Sequence, residues 1–301
     1  MTTDVAPRPT LGQWLAGARP RTLPAAISPV LTGSGAAFWA DGFSWTRALL
    51  ALLVSLALQV GVNYANDYSD GIRGTDADRV GPIRLVGSGL ARPGAVKAAA
   101  FGCFGVAALA GLLLVVLSGQ WWLLLAGAAS IVAAWYYTGG RRPYGYLGLG
   151  EVFVFVFFGL VAVCGTTLVQ LGRVTLPSLL GGIGIGALAC AILVANNLRD
   201  IIGDAESGKR TLATRVGAPT TRILYASLVG IAALAIVLIA AVTSWWALLG
   251  LLGLLLITPA VRTVLGGGTG PALIGVLKVT GTSELAAAAG LTAGLVVGRL
   301  G

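Results

Sequence analysis

The chain has 301 residues, 56% of them hydrophobic and only 10% charged, with no histidine and a formal net charge of +9, whereas an average soluble domain is about 25% charged. That balance excludes a soluble globular enzyme and points to an integral membrane protein. The missing histidine excludes imidazole metal sites and a histidine base, leaving carboxylates, amides, lysine, arginine, tyrosine and hard cations to carry any chemistry.

Crossing ~30 Å of hydrocarbon takes about 20 apolar residues, and nine segments of roughly that length follow one another: 22–40, 48–65, 97–117, 121–138, 149–170, 176–196, 219–241, 244–265 and 283–300. The first 21 residues carry prolines and arginines where a secretory signal would carry a compact apolar region and a cleavage site, so they are expected to stay as a cytoplasmic segment. With that end inside, the basic residues gather in the cytoplasmic connections and leave only Arg47, Arg173 and Arg299 for the other side. The positive-inside rule predicts this asymmetry, so the charge reports topology in a lipid bilayer and no nucleic acid is expected as a partner. No long linker or soluble insert interrupts the spans, which predicts one membrane domain over 1–301. Cys103, Cys164 and Cys190 lie in apolar runs without paired spacing and read as small buried hydrophobes. In the run GGIGIG, Gly182 and Gly186 share a helix face, a spacing that lets helices pack closely in lipid.

Two connections differ from the rest, 66–96 and 197–218, both long, polar and on the expected cytoplasmic side. Of the 11 acidic residues, Asp67, Asp70, Asp76 and Asp78 fall in the first, and Asp200, Asp204 and Glu206 in the second. If the second span continues as a helix to about Asp70, Asn63 and Asp67 stand one turn apart, as do Asn66 and Asp70. Asn196, Asp200 and Asp204 repeat that step after the sixth span, with Asn197 beside them, which hints at internal duplication. Stacked carboxylates repel unless a cation lies between them, and oxygen ligands suit Mg²⁺, which is commonly held by one or two carboxylates together with a substrate's phosphates. Interleaved are Arg73, Arg79, Arg84, Lys209 and Arg210, the residue types that grip diphosphate oxygens. The plainer reading is a pair of solvated loops with helix-end salt bridges; polar groups at membrane depth are costly and usually functional, which favours a metal–diphosphate site.

These two segments resemble the signatures of the UbiA superfamily of intramembrane aromatic prenyltransferases. Asn66, Asp67, Asp70 and Asp76 match its first motif, and Asp200, Asp204, Gly208, Lys209 and Thr211 its second. The stretches ARPRTLPAAISPVLTGS (18–34), NYANDYSDGIRGTDADRVGPIRLVGSGL (63–90), WYYTGGRRPYGYLGLGEVFVFVFFG (135–159) and NNLRDIIGDAESGKRTLA (196–213) are most similar to the branch that prenylates 1,4-dihydroxy-2-naphthoate. Relatives acting on 4-hydroxybenzoate usually show Tyr-Pro-x-x-Lys-Arg after the fourth helix; here Tyr137, Arg141 and Arg142 occupy comparable places without the proline or the lysine.

The resemblance implies an all-α integral membrane fold, with nine transmembrane helices around a central cavity under a cytoplasmic cap, in the cell membrane. It implies transfer of a polyprenyl group from polyprenyl diphosphate to the aromatic acceptor, Mg²⁺ as cofactor and, in the naphthoate branch, loss of the acceptor's carboxylate. On that footing Asp67 and Asp70 with Asn63 and Asn66 are expected to hold one Mg²⁺, and Asp200 with Asp204 a second. Lys209, Arg84 and Arg141 are expected on the diphosphate, with Arg142 and Arg210 near it. Arg19 or Arg21 would meet the acceptor's carboxylate or serve as a topology anchor. Glu151 would face the cavity or be interfacial and solvated, and Tyr137, beside Tyr136, would flank the reacting head or anchor the interface. The aromatic residues of FVFVFF, 153–158, read as lipid-facing or packing residues, with lining of a prenyl tunnel the lesser reading. Two rival functions are a related prenyltransferase with another acceptor, such as 4-hydroxybenzoate or homogentisate, and a secondary transporter. A transporter places its binding groups near the midplane, whereas these acids gather on one side.

Overall fold

The structure, a computed structural model, describes residues 9–74 and 83–301. Asp76, Asp78 and Arg79, expected near the first acidic cluster, lie outside the described residues. A short helix α1 (Leu11–Gly17) precedes α2 (Pro24–Trp39), the long α3 (Trp45–Arg73), α4 (Pro93–Ser118) and α5 (Leu123–Tyr136). Helices α6 (Gly150–Val154) and α7 (Ala162–Leu171) are joined through a π-helical stretch, Phe155–Val161, into one continuous rod. Then come α8 (Leu176–Arg199), the six-residue α9 (Ile201–Glu206), α10 (Leu212–Val242), α11 (Leu249–Leu255), α12 (Thr258–Leu265) and α13 (Ala272–Leu300).

Every expected span falls on a helix, but the lengths differ. Six helices are long and apolar enough to cross a membrane: α3, α4, the α6–α7 rod, α8, α10 and α13. A seventh crossing is the pair Trp245–Leu255 and Thr258–Leu265, bent by 51°, at a break followed directly by Pro259, a residue that cannot extend a preceding helix but suits the first turn of a new one. The 16 residues of α2 and the 14 of α5 rise ~24 Å and ~21 Å at about 1.5 Å per residue, short of the hydrocarbon thickness. The segment expected at 283–300 belongs to a helix that begins at Ala272.

Burial shows which helix is central. In α8, 72% of the apolar window is buried, against 33–44% in the other long spans. The sequence permits this because its faces are made of glycine and alanine: a Cβ at Gly159 would meet Gly182 O at 2.5 Å and Gly186 Cα at 2.7 Å. The glycine face read from GGIGIG therefore packs on the π-helical stretch, where the rod is wound wider, a feature frequent at functional sites. On its other sides α8 packs against α10, α13 and α2, while α3 packs most extensively on α4. Between α3, α4, α5 and the α6–α7 rod lies a cavity of about 540 Å³.

Helix α3 runs without a break through Asp70, as expected, and turns its polar residues inward. Gln59, Asn63, Asp67 and Asp70 recur about one turn apart and are all buried, so this stripe must find its partners inside the protein. All three cysteines are free thiols; Cys190 is buried as expected, whereas Cys103 and Cys164 are only half-buried.

Candidate functional site

The polar residues of the α3 stripe are met by several separate segments. Gln59 Nε2 and Asn63 Nδ2 both donate to Thr22 Oγ1 at 2.9 Å, and Asn63 Nδ2 also to Ala18 O at 2.9 Å. One turn on, Asn66 Oδ1 accepts from Thr138 Oγ1 at 2.8 Å. Asp67 accepts two backbone N–H groups, from Leu85 to Oδ2 at 2.7 Å and from Val86 to Oδ1 at 3.0 Å. The carboxylate thus holds the turn at 84–89 against α3, and Gly71 permits the approach, since a Cβ there would meet Val86 Cγ1 at 2.5 Å. Expected chiefly as a metal ligand, Asp67 therefore spends a lone pair of each oxygen on the fold. Arg19, half-buried and held at φ 53, acts electrostatically on Asp67, whereas Arg21 is exposed.

Asp70 marks the place where the segments meet. Its Oδ1 accepts from the Tyr146 hydroxyl at 2.5 Å, and Arg84 lies 4.0 Å from its Oδ2. Tyr146 sits in a 3-10 turn, Tyr144–Leu147, fixed by a bond from Gly145 N to Tyr137 O at 3.0 Å. Lys209 Nζ stands 4.8 Å from the centre of the Tyr146 ring and Arg73 Cζ 5.6 Å, while Tyr146 O accepts from Arg210 N at 3.0 Å. Arg73 also donates to the carbonyls of Thr138 and Gly140, which binds the end of α3 to the same loop. The first acidic segment, the 138–147 loop and the segment after Asp204 thus converge on one tyrosine that sequence reasoning had missed. Its only sequence signal was its place in PYGYLGLGE.

The second segment is built differently. The one-turn step from Asn196 to Asp200 to Asp204 persists through backbone bonds of 3.1 and 2.8 Å, although α8 ends at Arg199 and α9 restarts at Ile201. Arg199 clamps Asp200 with two bonds of 2.7 Å and reaches Asn196 Oδ1 at 2.9 Å, a pairing the sequence reading had left out. Lys209 Nζ is 3.9 Å from Asp204 Oδ1. Gly208, at φ +75, makes the left-handed turn that returns Lys209 toward Asp204, and Thr211 caps α10 with its hydroxyl on Thr214 N. The Arg210 side chain is exposed, as are Arg141 and Arg142, for which no hydrogen bond or ion pair occurs among the described residues.

The cavity opens beside this cluster. At its polar end stand Gln59, Asn63, Asn66 and Tyr137, and Asn66 is one helical turn, ~6 Å along the axis, from Asp70. Its wall carries an aromatic ladder: Tyr137 meets Tyr144 edge-on at 5.5 Å, Tyr144 stacks on Phe153 at 3.9 Å, and Phe153 on Phe157 at 6.0 Å. Phe153, Phe157 and Phe158 line the cavity, which corrects the leading reading of this run as lipid-facing or packing residues. Burial raises the Tyr144 phenol above its ordinary range, so it stays a neutral donor, bonded to Ala133 O at 2.9 Å. Glu151 faces α8 instead: Asn197 Nδ2 donates to its Oε1 at 3.0 Å, and it does not border the cavity.

Among the described residues no group of three or more His, Cys, Asp and Glu is arranged to cage an ion alone. The donors present are oxygens, a carboxylate on each of two segments with lysine and arginine beside them. That set fits Mg²⁺ shared with a polyanion better than an all-protein cage.

The model of the UbiA prenyltransferase family matches residues 26–266. A 1,4-dihydroxy-2-naphthoate octaprenyltransferase of Mycobacterium tuberculosis is 51% identical over 97% of this chain and 99% of its own length. Among solved structures, a UbiA homolog from Aeropyrum pernix superposes with a TM-score of 0.66 at 16% identity, over 91% of this chain and 97% of that one. A UbiA homolog from Archaeoglobus fulgidus bound to GPP and Mg²⁺ gives 0.60 at 12% identity, over 93% and 99%.

Proposed function

We infer from its sequence relatives that this chain, which belongs to the UbiA prenyltransferase family, transfers a polyprenyl group from polyprenyl diphosphate to 1,4-dihydroxy-2-naphthoate, with loss of the carboxylate, in menaquinone biosynthesis. The observation that carries the substrate is the extended likeness to an enzyme named for that acceptor, 51% identical along nearly the whole of both chains. The geometry suits the same chemistry. A diphosphate ester of a long isoprenoid needs cations at one end and an apolar channel at the other, and the Asp70–Arg84–Lys209 cluster stands one helical turn from the cavity.

We propose that Asp70 and Asn66 on one side, and Asp204 with Asp200 on the other, hold Mg²⁺ together with the diphosphate, Asp67 adding the lone pairs left by its backbone bonds. Bound there, Mg²⁺ would supply neutralisation of the negative charge that develops on the leaving diphosphate. Lys209 and Arg84 bind the diphosphate oxygens. As the C–O bond breaks, its electron pair leaves with the diphosphate and the allylic carbon becomes cationic. Tyr137, Tyr144 and Phe153 line the cavity, where they would stabilise that cation and exclude water that would trap it. The naphthol ring carbon that bears the carboxylate then forms the new bond to the allylic carbon, and its bond to the carboxylate breaks, the electron pair restoring the aromatic ring as CO₂ leaves. Arg19, beside Asp67, is better placed than the exposed Arg21 to orient the acceptor's carboxylate. In the membrane, α2 and α5 act as short eighth and ninth crossings, and the N-terminus and the acidic segments face the cytoplasm.

The test is the product. Purified protein given a prenyl diphosphate, Mg²⁺ and carboxyl-labelled dihydroxynaphthoate is expected to release labelled CO₂ and prenylated naphthoquinol in equal amounts, read by mass spectrometry. Prenylation of 4-hydroxybenzoate in preference to the naphthoate would overturn the acceptor assignment.

A further inference from the structure

At Tyr146 three separately folded segments touch. Its hydroxyl donates to Asp70 Oδ1 at 2.5 Å, its ring lies under Lys209 Nζ at 4.8 Å and Arg73 Cζ at 5.6 Å, and its carbonyl accepts Arg210 N–H at 3.0 Å. Within the second acidic segment, Asp200 is clamped by its neighbour Arg199, and Lys209 pairs with Asp204. The turn that carries Tyr146 is itself fixed at both ends. Gly145 is closed on Tyr137 O, where a Cβ would meet that oxygen at 2.6 Å, and Gly148 at φ +73 packs under Arg210 O and Arg215.

Building on the prenyl diphosphate reading above, we propose that Tyr146 is a positioning residue that sets the gap between the Asp70 carboxylate and the Lys209 ammonium, so that the two halves of the diphosphate grip are preformed before substrate arrives. The two contacts it makes are chemically separable. The hydroxyl orients an anion, Asp70, and the ring face holds cations, by attraction to its quadrupole. A ring carrying two cations also keeps positive charge gathered where a polyanion will enter. Holding both groups before binding lowers the ordering cost that the diphosphate would otherwise meet.

The separation gives the test. Binding of a non-hydrolysable prenyl thiolodiphosphate is measured on the full-length protein in detergent, first in EDTA and then as a function of Mg²⁺. Tyr146→Phe keeps the ring and loses the hydroxyl; it is expected to bind the analogue in EDTA within twofold of the native protein, while the Mg²⁺ concentration that half-restores tight binding shifts by about fivefold. Replacing residue 146 by 3,4,5-trifluorophenylalanine keeps shape and weakens the ring's hold on cations, and is expected to lower affinity in EDTA about fivefold further, with the melting temperature unchanged. A merely structural tyrosine would move melting temperature, EDTA binding and Mg²⁺ response together in both variants. That pattern, or equal EDTA affinity in the phenylalanine and trifluorophenylalanine proteins, would overturn the proposal. Native protein that fails to bind the analogue even with Mg²⁺ would instead sink the prenyl diphosphate reading on which it rests.

Discussion

The two acidic segments share a residue pattern but not a construction. Asn63, Asp67 and Asp70 belong to an unbroken helix of 29 residues and are buried, each tied to a separate part of the chain. Asp200 and Asp204 flank or occupy a helix of six residues, and they pair with Arg199 and Lys209, which lie within five positions of them in sequence. Long-range bonds make the first segment a fixed wall whose loss is a loss of fold. On the proposed reading, local pairs make the second an adjustable jaw, in which a diphosphate and its metal would exchange with Lys209 and Arg199 as partners of the acids at little structural cost.

The contrast is sharpest at Asp67. Asp67→Ala strands the buried N–H of Leu85 and the half-buried N–H of Val86, a buried unsatisfied donor costing about 1–3 kcal/mol, so a large fall in melting temperature and complete loss of turnover are expected together in a thermal-shift and prenylation assay. Asp204→Asn is the opposite case: turnover is expected to fall on the order of 10²-fold, the scale for removing one electrostatic contact to a developing charge, while the melting temperature stays at the native value. Equal destabilisation by the two substitutions would erase the distinction between wall and jaw. Smaller still is Gly208→Ala. Holding alanine at φ +75 costs about 1 kcal/mol, and displacement of Lys209 is expected to raise KM for the prenyl diphosphate several-fold with kcat nearly unchanged.

The same contrast explains what could be read in advance. The helix to Asp70, the one-turn step of amide and carboxylate, and the Gly182–Gly186 packing face all follow from periodicity within one element, and all are present. Asp67's true partners lie 18 and 19 residues away on a turn, and Tyr146 acquires its role only when the 144–147 turn is laid between α3 and the Lys209 loop; neither is encoded in spacing. That Phe153, Phe157 and Phe158 face a cavity depends on which helices the α6–α7 rod packs between, which the composition of an apolar run does not carry. Glu284 escaped attention as a lone acid in an apolar run, yet it is wholly buried on α13, with no hydrogen-bond partner for either carboxylate oxygen among the described residues.

The central claim is that wall and jaw close on one diphosphate. A double-mutant cycle on Mg²⁺-dependent binding of a prenyl thiolodiphosphate tests it most directly, using Asp70→Asn, Asp204→Asn and the pair. If both carboxylates serve the same ligand and its metal, the losses will not add, and the coupling will exceed about 1 kcal/mol, well outside the ~0.5 kcal/mol within which independent sites add. Strictly additive losses, or a single variant that binds as well as the native protein, would contradict the account.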